Sequence, residues 1–224
     1  MVFYAFEMLH RIADALFPPT CHLCGVRIPQ ASDPFCARCR VLCETCRAHR
    51  PLGAAPARAH AAFLYRGAAR EALLAFKYRD RHRLGPWLAA RMAETAQREL
   101  PVGEITAVTA VPLHWLKRRL RGADPVASLG RQVAARLGKP WRPRALSRTR
   151  WTATQTRLDA AQRRRNVTRA FRARAQDVAG GVVLLIDDIL TTGATSRACA
   201  LALRRAGASA VFVLAAAGTP AKTP

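Results

Sequence analysis

Acidic residues and lysines are scarce in this chain of 224 residues. It has 14 aspartates and glutamates against 37 basic residues, only four of which are lysines, and its formal net charge is +23. This balance favours polyanionic partners such as nucleic acid, a pyrophosphate or an anionic membrane surface, although arginine-rich usage from a GC-rich genome explains it equally well. Aromatic residues make up only 7%, which argues against specific recognition of bases by stacking. Half of the residues are hydrophobic, so composition excludes a disordered chain.

Long hydrophobic runs are also missing, which argues against a membrane span. The apolar start, residues 1–17, is interrupted by Glu7, Arg11 and Asp14 and is followed by two prolines. We therefore predict an amphipathic helix there rather than a signal peptide. The expected compartment is the cytoplasm.

Six of the seven cysteines fall in three Cys-x-x-Cys pairs between residues 21 and 46. The first two pairs are eleven residues apart, which is zinc-site spacing because each pair brings two thiolates to one tetrahedral ion. Disulfides are disfavoured in a reducing compartment. The predicted ligands of a structural Zn²⁺ are Cys21, Cys24, Cys36 and Cys39.

The third pair, Cys43 and Cys46, leaves alternatives open. If residues 36–46 are helical, both cysteines share a face with the second pair and could replace one of the proposed pairs. They could instead bind a second metal with His49 or with ligands from a partner. Six thiols are too few for two complete four-cysteine sites.

The rest of the chain predicts an α/β domain. Residues 51–58 are rich in proline, alanine and glycine and are predicted to link an N-terminal helix and zinc module (1–50) to a second domain (59–224). Strands are predicted at 61–65, 105–111, 182–186 and 209–215, the last at the sheet edge, and helices at 68–78, 84–99, 125–137 and from the 191–195 loop to 206. Alternation of strands and helices is typical of a parallel sheet.

Residues 182–195 are the most informative stretch. Val182 to Ile186 form a short apolar run typical of a strand buried on both faces. Asp187 and Asp188 come where that strand should end, and small hydroxylic residues from Thr191 to Thr195 then open a helix. Backbone N–H groups at a helix N-terminus bind phosphate, and the carboxylates could accept hydrogen bonds from sugar hydroxyls or help to hold a hydrated Mg²⁺. Capping of an ordinary turn is the alternative, but adjacent buried acids are costly without a ligand.

Two polar stretches add cations. Pro112, Leu113 and His114 end the 105–111 strand, and four basic residues follow within 117–121, which suits a pyrophosphate or a nucleic-acid backbone as well as it suits a solvated basic helix. Residues 146–156 are threonine-rich and predict an exposed, mobile loop of the kind that closes over an active site.

Residues 182–195 resemble the phosphoribosyl pyrophosphate (PRPP) motif of type I phosphoribosyltransferases. The order of the whole chain resembles the ComF family of competence proteins, in which a cysteine-rich zinc module precedes a type I phosphoribosyltransferase domain. The shared pieces are Phe17-Pro18-Pro19 before Cys21, Tyr65-x-Gly67, Lys77-Tyr78, Val111-Pro112-Leu113 with Arg121-Gly122, Arg148 with Gln155, Arg163 to Asn166 with Phe171, and the PRPP motif. The chain departs from the family at Ala123-Asp124-Pro125, where the family has an aromatic residue, Asn and Gln, and it lacks a fourth cysteine pair.

The resemblance implies a type I phosphoribosyltransferase-like parallel sheet flanked by helices, binding of PRPP with Mg²⁺, and transfer of phosphoribosyl to a nitrogen nucleophile. The alternative to an active transferase is a catalytically vestigial, zinc-containing protein of natural transformation that binds single-stranded DNA or a helicase partner. Asp187 and Asp188 are implied as the catalytic pair that holds the ribose. The implied PRPP-binding residues are Ile189, Leu190, Thr191, Thr192, Gly193, Ala194 and Thr195 in the loop, Leu113, His114 and Arg121 towards pyrophosphate, Arg148 or Arg150 closing over it, and Lys77.

Overall fold

A computed structural model describes residues 18–29, 33–43, 50–51, 57–78, 81–113, 124–149 and 170–219. At its centre lies a five-stranded sheet whose spatial order is β1 (Arg50–Pro51), β2 (Ala57–Leu64), β7 (Ala210–Gly218), β6 (Val182–Leu190) and β3 (Ile105–Ala110). The last four strands are parallel, and β1 pairs with β2 in the antiparallel direction. The predicted fold class, a parallel sheet flanked by helices with a small cysteine-rich segment, is confirmed.

Helices cover both faces of the sheet. They are α1 (Ala37–Val41), α2 (Gly67–Tyr78), α3 (Arg81–Glu99), α4 (Pro125–Arg136), α5 (Ala175–Val178) and α6 (Ala194–Arg205). A separate two-stranded antiparallel sheet consists of β4 (Leu146–Arg148) and β5 (Phe171–Ala173). None of the described helices combines the length and the apolar character that crossing a membrane requires.

Alternation along β6 divides the core into two layers, because successive strand residues point to opposite faces. Leu184 and Ile186 pack with the residues of α2, α3 and α4, whereas Val183 and Leu185 pack with those of α6. This alternation continues into the acidic pair at the end of the strand, so the two carboxylates are directed towards different helices.

Three observed elements differ from their predicted positions. Strand β7 lies between β2 and β6 rather than at the edge, so the predicted edge position is wrong; its run from Val211 to Ala217 is nearly all buried, as an interior parallel strand requires. Strand β6 continues through both aspartates to Leu190, because β7 pairs with it as far as Gly218. Leu146–Arg148 are a strand and not part of a loop.

The cysteine-rich segment packs against the sheet domain through an aromatic side chain. Phe35 is 1% exposed and meets Trp87 of α3 edge-on, with ring centroids 4.9 Å apart. Trp87 in turn stacks on Phe63 of β2 at 5.0 Å with an interplanar angle of 6°. The segment therefore shares the hydrophobic core formed by α2, α3 and α4. Residues 57 and 58, at the end of the predicted linker, already belong to β2, and the division into two domains stays a prediction.

Candidate functional site

A cavity of about 220 Å³ opens at the carboxyl ends of β3 and β6. Ligands of open α/β sheets bind at this edge of the sheet. The cavity is lined by Val111, Pro112, Leu113, Val126, Arg148, Asp187, Asp188, Ile189, Thr191, Thr192, Gly193, Ala194, Thr195 and Ser196. Most of the residues predicted from the 182–195 stretch are thus gathered around one space, together with Leu113 and Arg148 from distant parts of the chain.

Asp187 is buried on the α6 side of the strand, and hydrogen bonds from the protein reach both of its carboxylate oxygens. The backbone N–H of Asp188 donates to Oδ1 at 2.9 Å, and the hydroxyl of Ser196 donates to Oδ2 at 2.7 Å. Burial, and secondly the charge of Asp188, raise the pKa of Asp187 to about 7, although Ser196, the backbone N–H and Lys77 act in the opposite direction. The group is therefore partly protonated near neutral pH.

Asp188 points to the other face, towards the last turn of α2. Its Oδ2 forms an ion pair with Lys77 Nζ at 2.7 Å. The Asp188 side chain is only 21% exposed and that of Lys77 only 15%. Their sequestration from water strengthens the attraction relative to a surface pair. Lys77, which the resemblance proposed as a ligand-binding residue, thus contacts the acidic pair directly.

The loop after β6 has the form of an anion site. Gly193 caps α6 with φ of 73°, a left-handed conformation that favours glycine. Gly193 has no side chain that could accept hydrogen bonds from the first-turn N–H groups of α6. Such N–H groups at a helix N-terminus bind anions readily. Thr219 holds the loop from β7: its N–H donates to Leu190 O at 2.9 Å, and its hydroxyl lies 3.4 Å from Thr191 O.

Arg148 supplies a cation to the cavity wall. The side chain is half-buried, and its guanidinium carbon lies 5.6 Å from the centroid of the Phe171 ring in the neighbouring strand β5. Burial lowers the pKa of Arg148 from its ordinary value. The guanidinium of this cavity-lining residue therefore lies against the Phe171 ring.

Several predicted residues lie outside the described part of the chain. These are the helix over 1–17, Cys46, His49, His114, Arg121, Arg150 and residues 163–166. Their predicted roles stay predictions.

Sequence reasoning missed two features of the site. Ser196 is absent from the predicted set although its hydroxyl contacts Asp187. A signal was present: a strand–loop–helix reversal of this length returns the first helical turn to the strand end. The pairing of Lys77 with Asp188 had no such local signal, because two distant segments form it.

A second site lies in the cysteine-rich segment. The sulfur atoms of Cys21, Cys24, Cys36 and Cys39 all lie within 4.8 Å of one another, and those of Cys24 and Cys36 are 3.8 Å apart. Tetrahedral zinc with Zn–S bonds of about 2.3 Å would separate its sulfurs by about 3.8 Å. The donor set therefore fits a tetrahedral thiolate-bound ion.

Backbone amides favour the thiolate of Cys21, whereas burial and hydrogen bonds to the neighbouring thiols raise the pKa of Cys39 to about 12. Burial alone would raise the pKa of Cys21, but N–H groups of Cys36, Cys24 and Leu23 and the Cys24 side chain lower it to about 6. The N–H of Cys39 likewise points at the sulfur of Cys36, 3.4 Å away. Such N–H to sulfur contacts stabilise metal-binding thiolates.

Cys43, the predicted alternate ligand, is buried but is not one of the four clustered cysteines. Helix α1 ends at Val41, so the continuous helix that would have aligned Cys43 with the second pair does not extend to it. Burial, together with the charge of Cys21, raises the pKa of Cys43 to about 11. Cys43 therefore has the character of a core thiol.

Comparison with known proteins gives sequence relatives over about half of the chain. It is 38% identical over 106 residues to the DNA utilization protein YhgH of Escherichia coli K12, covering 47% of this chain and 46% of that protein. It is 32% identical over 130 residues to competence protein F of Haemophilus influenzae, covering 57% and 55%. The chain thus spans about half the length of the curated relatives it matches, and no family model matches it. These relatives confirm the resemblance to competence proteins.

The solved structures that are similar to this chain include two enzymes. One is described as the allosteric regulatory enzyme of purine biosynthesis, and the other is the glutamine PRPP amidotransferase of Bacillus subtilis complexed with ADP and GMP. Each is 25% identical, covers 59% of this chain and 26% of its own, and has a TM-score of 0.42.

Proposed function

We propose that this chain, whose named relatives act in competence and DNA utilization, is a phosphoribosyltransferase-like protein that binds PRPP with Mg²⁺ and transfers phosphoribosyl to a nitrogen nucleophile during DNA uptake. The observation that carries the proposal is the convergence, in one cavity at the carboxyl edge of a parallel sheet, of an acidic pair, a glycine-capped helix N-terminus and Arg148. These groups match the sugar, the phosphate and the diphosphate of one ligand.

Each part of PRPP has a complementary group. The 5′-phosphate would lie in the loop from Thr191 to Thr195, against the N–H groups of α6. A ribose hydroxyl would donate a hydrogen bond to Asp188. The diphosphate would lie between residues 111–113, which follow β3, and Arg148. Mg²⁺ would accompany the diphosphate and neutralise its charge.

The transfer breaks the C1′–O bond to pyrophosphate and forms a C1′–N bond to the nucleophile. The electron pair of the broken bond leaves with pyrophosphate, and the attacking nitrogen loses its proton to solvent. Because the ribose ring gains positive character in the transition state, the protein contributes by positioning and by charge stabilisation. Asp188 would fix the ring, and Arg148 would balance the departing charge.

The four-cysteine cluster is proposed to hold a structural Zn²⁺. The support is the tetrahedral spacing of the sulfurs and the backbone N–H groups that favour the Cys21 thiolate. Thiolates of this kind persist in a reducing compartment, so the proposal places the protein in the cytoplasm.

Calorimetric titration with PRPP and Mg²⁺, together with assays of pyrophosphate release in the presence of bases and amines, tests the proposal. We expect Asp188→Asn to weaken PRPP binding and to abolish release. The matched control is Glu104→Gln. Glu104 is exposed and directly precedes β3, so it lies at the amino ends of the strands, whereas the cavity lies at their carboxyl ends. Failure of the wild-type protein to bind PRPP would refute the proposal.

A second candidate function, binding of single-stranded DNA, is favoured by a separate group of arginines. Four exposed arginines lie on or next to the β4–β5 sheet: Arg172 on β5, Arg174 directly after it, and Arg142 and Arg144 before β4. No acidic side chain in the described ranges forms an ion pair with any of them. Unpaired arginines beside one another suit a phosphate backbone.

The salt dependence of binding distinguishes this second function. The affinity for single-stranded DNA should fall with salt, as a negative slope of log affinity against log salt concentration. This slope should become shallower by about 0.7 for each phosphate that the protein no longer neutralises. Arg144→Ala with Arg172→Ala should therefore reduce both affinity and slope, whereas Arg98→Ala, which removes a cation already paired with Glu99, should change neither. Asp188→Asn should leave DNA binding intact. An equal reduction of affinity in the Arg98 variant would contradict a localised surface.

A further inference from the structure

The acidic pair at the end of β6 is asymmetric. Because neighbouring strand residues point to opposite faces, Asp187 faces α6 and Asp188 faces α2. Both oxygens of Asp187 accept hydrogen bonds from Ser196 and the Asp188 backbone, and Asp187 is 7% exposed. Asp187 is therefore a positioning residue that orients the strand end and the first turn of α6, and Asp188 is the carboxylate nearer to solvent.

Asp188 already has a cation. Lys77 extends from the last turn of α2, and its ammonium lies 2.7 Å from Oδ2 of Asp188. The charge of Lys77 also acts on Asp187. One ammonium group is thus shared electrostatically by both members of the pair.

The donor set of the pair does not fit a divalent ion. Mg²⁺ requires near-octahedral oxygen ligands at about 2.1 Å and keeps several of its waters. A cation bound to Asp188 would lie against the Lys77 ammonium. Asp187 is only 7% exposed, and its two oxygens already accept hydrogen bonds from Ser196 and the backbone, which leaves it little access to such a cation. Repulsion between the two cations opposes such an arrangement.

We propose that Lys77 is a built-in counter-ion of Asp188, so that the sugar-phosphate portion of the ligand binds without a divalent cation at the acidic pair. An uncompensated Asp188 carboxylate beside the loop from Thr191 to Thr195 would repel a phosphate, and the ammonium removes this repulsion. The ion pair also holds Asp188 in place to accept a hydrogen bond from a sugar hydroxyl. Any Mg²⁺ then binds with the diphosphate of the complete ligand. This inference rests on the proposed function.

Ribose 5-phosphate is a suitable probe, because it contains the sugar and the phosphate but no diphosphate. Its dissociation constant would be measured by calorimetry for the wild-type protein in EDTA and in Mg²⁺. We expect the same value in both buffers. Binding that requires Mg²⁺ would overturn the inference but leave the proposed function standing, whereas binding of neither ribose 5-phosphate nor PRPP would overturn the proposed function itself.

Lys77→Met keeps the length of the side chain and removes its charge. In EDTA this variant should bind ribose 5-phosphate at least about tenfold more weakly, because Asp188 is no longer neutralised. Added Mg²⁺ should restore part of the affinity, since the ion can now occupy the vacated position, and a merely structural role of Lys77 would give no such rescue. Unchanged binding in EDTA, or weakened binding that Mg²⁺ does not restore, would overturn the inference.

Two further variants guard against a folding artefact. Lys77→Arg keeps the cation and should still bind in EDTA, even though the geometry of the pair changes. Lys139→Met removes a lysine that donates to Gly103 O near the start of β3, and it should bind as the wild-type protein does. If the Lys77→Arg variant folded normally but no longer bound ribose 5-phosphate in EDTA, this result would count against a charge-based role.

Discussion

The hydroxyl of Ser196 donates a 2.7 Å hydrogen bond to Oδ2 of Asp187, nine residues earlier in the chain. This bond ties the end of strand β6 to the first turn of helix α6, with the loop from Thr191 to Thr195 between them. The loop's shape therefore depends on a buried polar pair whose protonation changes near neutral pH.

Asp187 should make stability depend on pH. Its pKa is raised to about 7 by burial and by Asp188, so between about pH 4 and pH 7 the native state holds a proton that the unfolded chain has released. The free energy of unfolding should therefore fall as pH rises through this window, by at most about 1.4 kcal/mol per pH unit from this group.

Asp187→Asn tests this expectation by denaturant unfolding at about pH 5 and about pH 8. The amide cannot ionise, so the fall between the two pH values should be smaller than in the wild-type protein, and the variant should match or exceed wild-type stability at the higher pH. Glu104→Gln should retain the wild-type profile. Parallel profiles for wild-type and Asp187→Asn would show that Asp187 is not the titrating group.

The four-cysteine cluster predicts which thiols hold metal. Cys24→Ser should lose bound zinc, whereas Cys43→Ser should keep a full equivalent, because Cys43 lies outside the clustered set. Cys24 is exposed and tolerates the change sterically. Metal content measured by mass spectrometry decides between the sets: a Cys43 variant without zinc and a Cys24 variant that retains it would reverse the assignment.

Removal of the aromatic contact should destabilise the whole protein. Phe35→Ala deletes a ring buried against Trp87 and should cost about 3 kcal/mol of unfolding free energy. Val41→Ala, at a side chain that is 81% exposed, should change the unfolding free energy by less than about 0.5 kcal/mol. Urea titration followed by tryptophan fluorescence measures both, and a Phe35→Ala effect as small as the control would mean that the cysteine-rich segment is not part of this core.

Gly193→Ala should affect both stability and ligand binding. At φ of 73° a side chain costs about 1 kcal/mol, and relaxing that strain would move the N–H groups of the proposed phosphate site. Gly103→Ala is the control, because a Cβ there meets nothing within 4 Å and the glycine has no positive φ. Calorimetry with ribose 5-phosphate should show weaker binding for the Gly193 variant alone; equal affinities would argue against a backbone phosphate cradle.

Local patterns in the sequence predicted most of the elements. The apolar run from Val182, the Asp124-Pro125 cap and the alternation of strands and helices correspond to β6, α4 and the parallel sheet. Strand length was less predictable: β6 continues through two aspartates because its neighbour β7 pairs with it there. Cross-strand pairing supplies hydrogen bonds that the residues of a strand do not themselves encode.

The sequence by itself determined which groups come together locally: two cysteine pairs at zinc spacing, and two carboxylates followed by a hydroxylic loop and a helix. Turn chemistry and short-range spacing suffice for these arrangements. Only the tertiary structure decided that β7 lies inside the sheet, that Phe35 packs on Trp87, and that Lys77 neutralises Asp188. Such contacts join segments far apart in the chain, and they depend on strand order and on the face to which each side chain is directed.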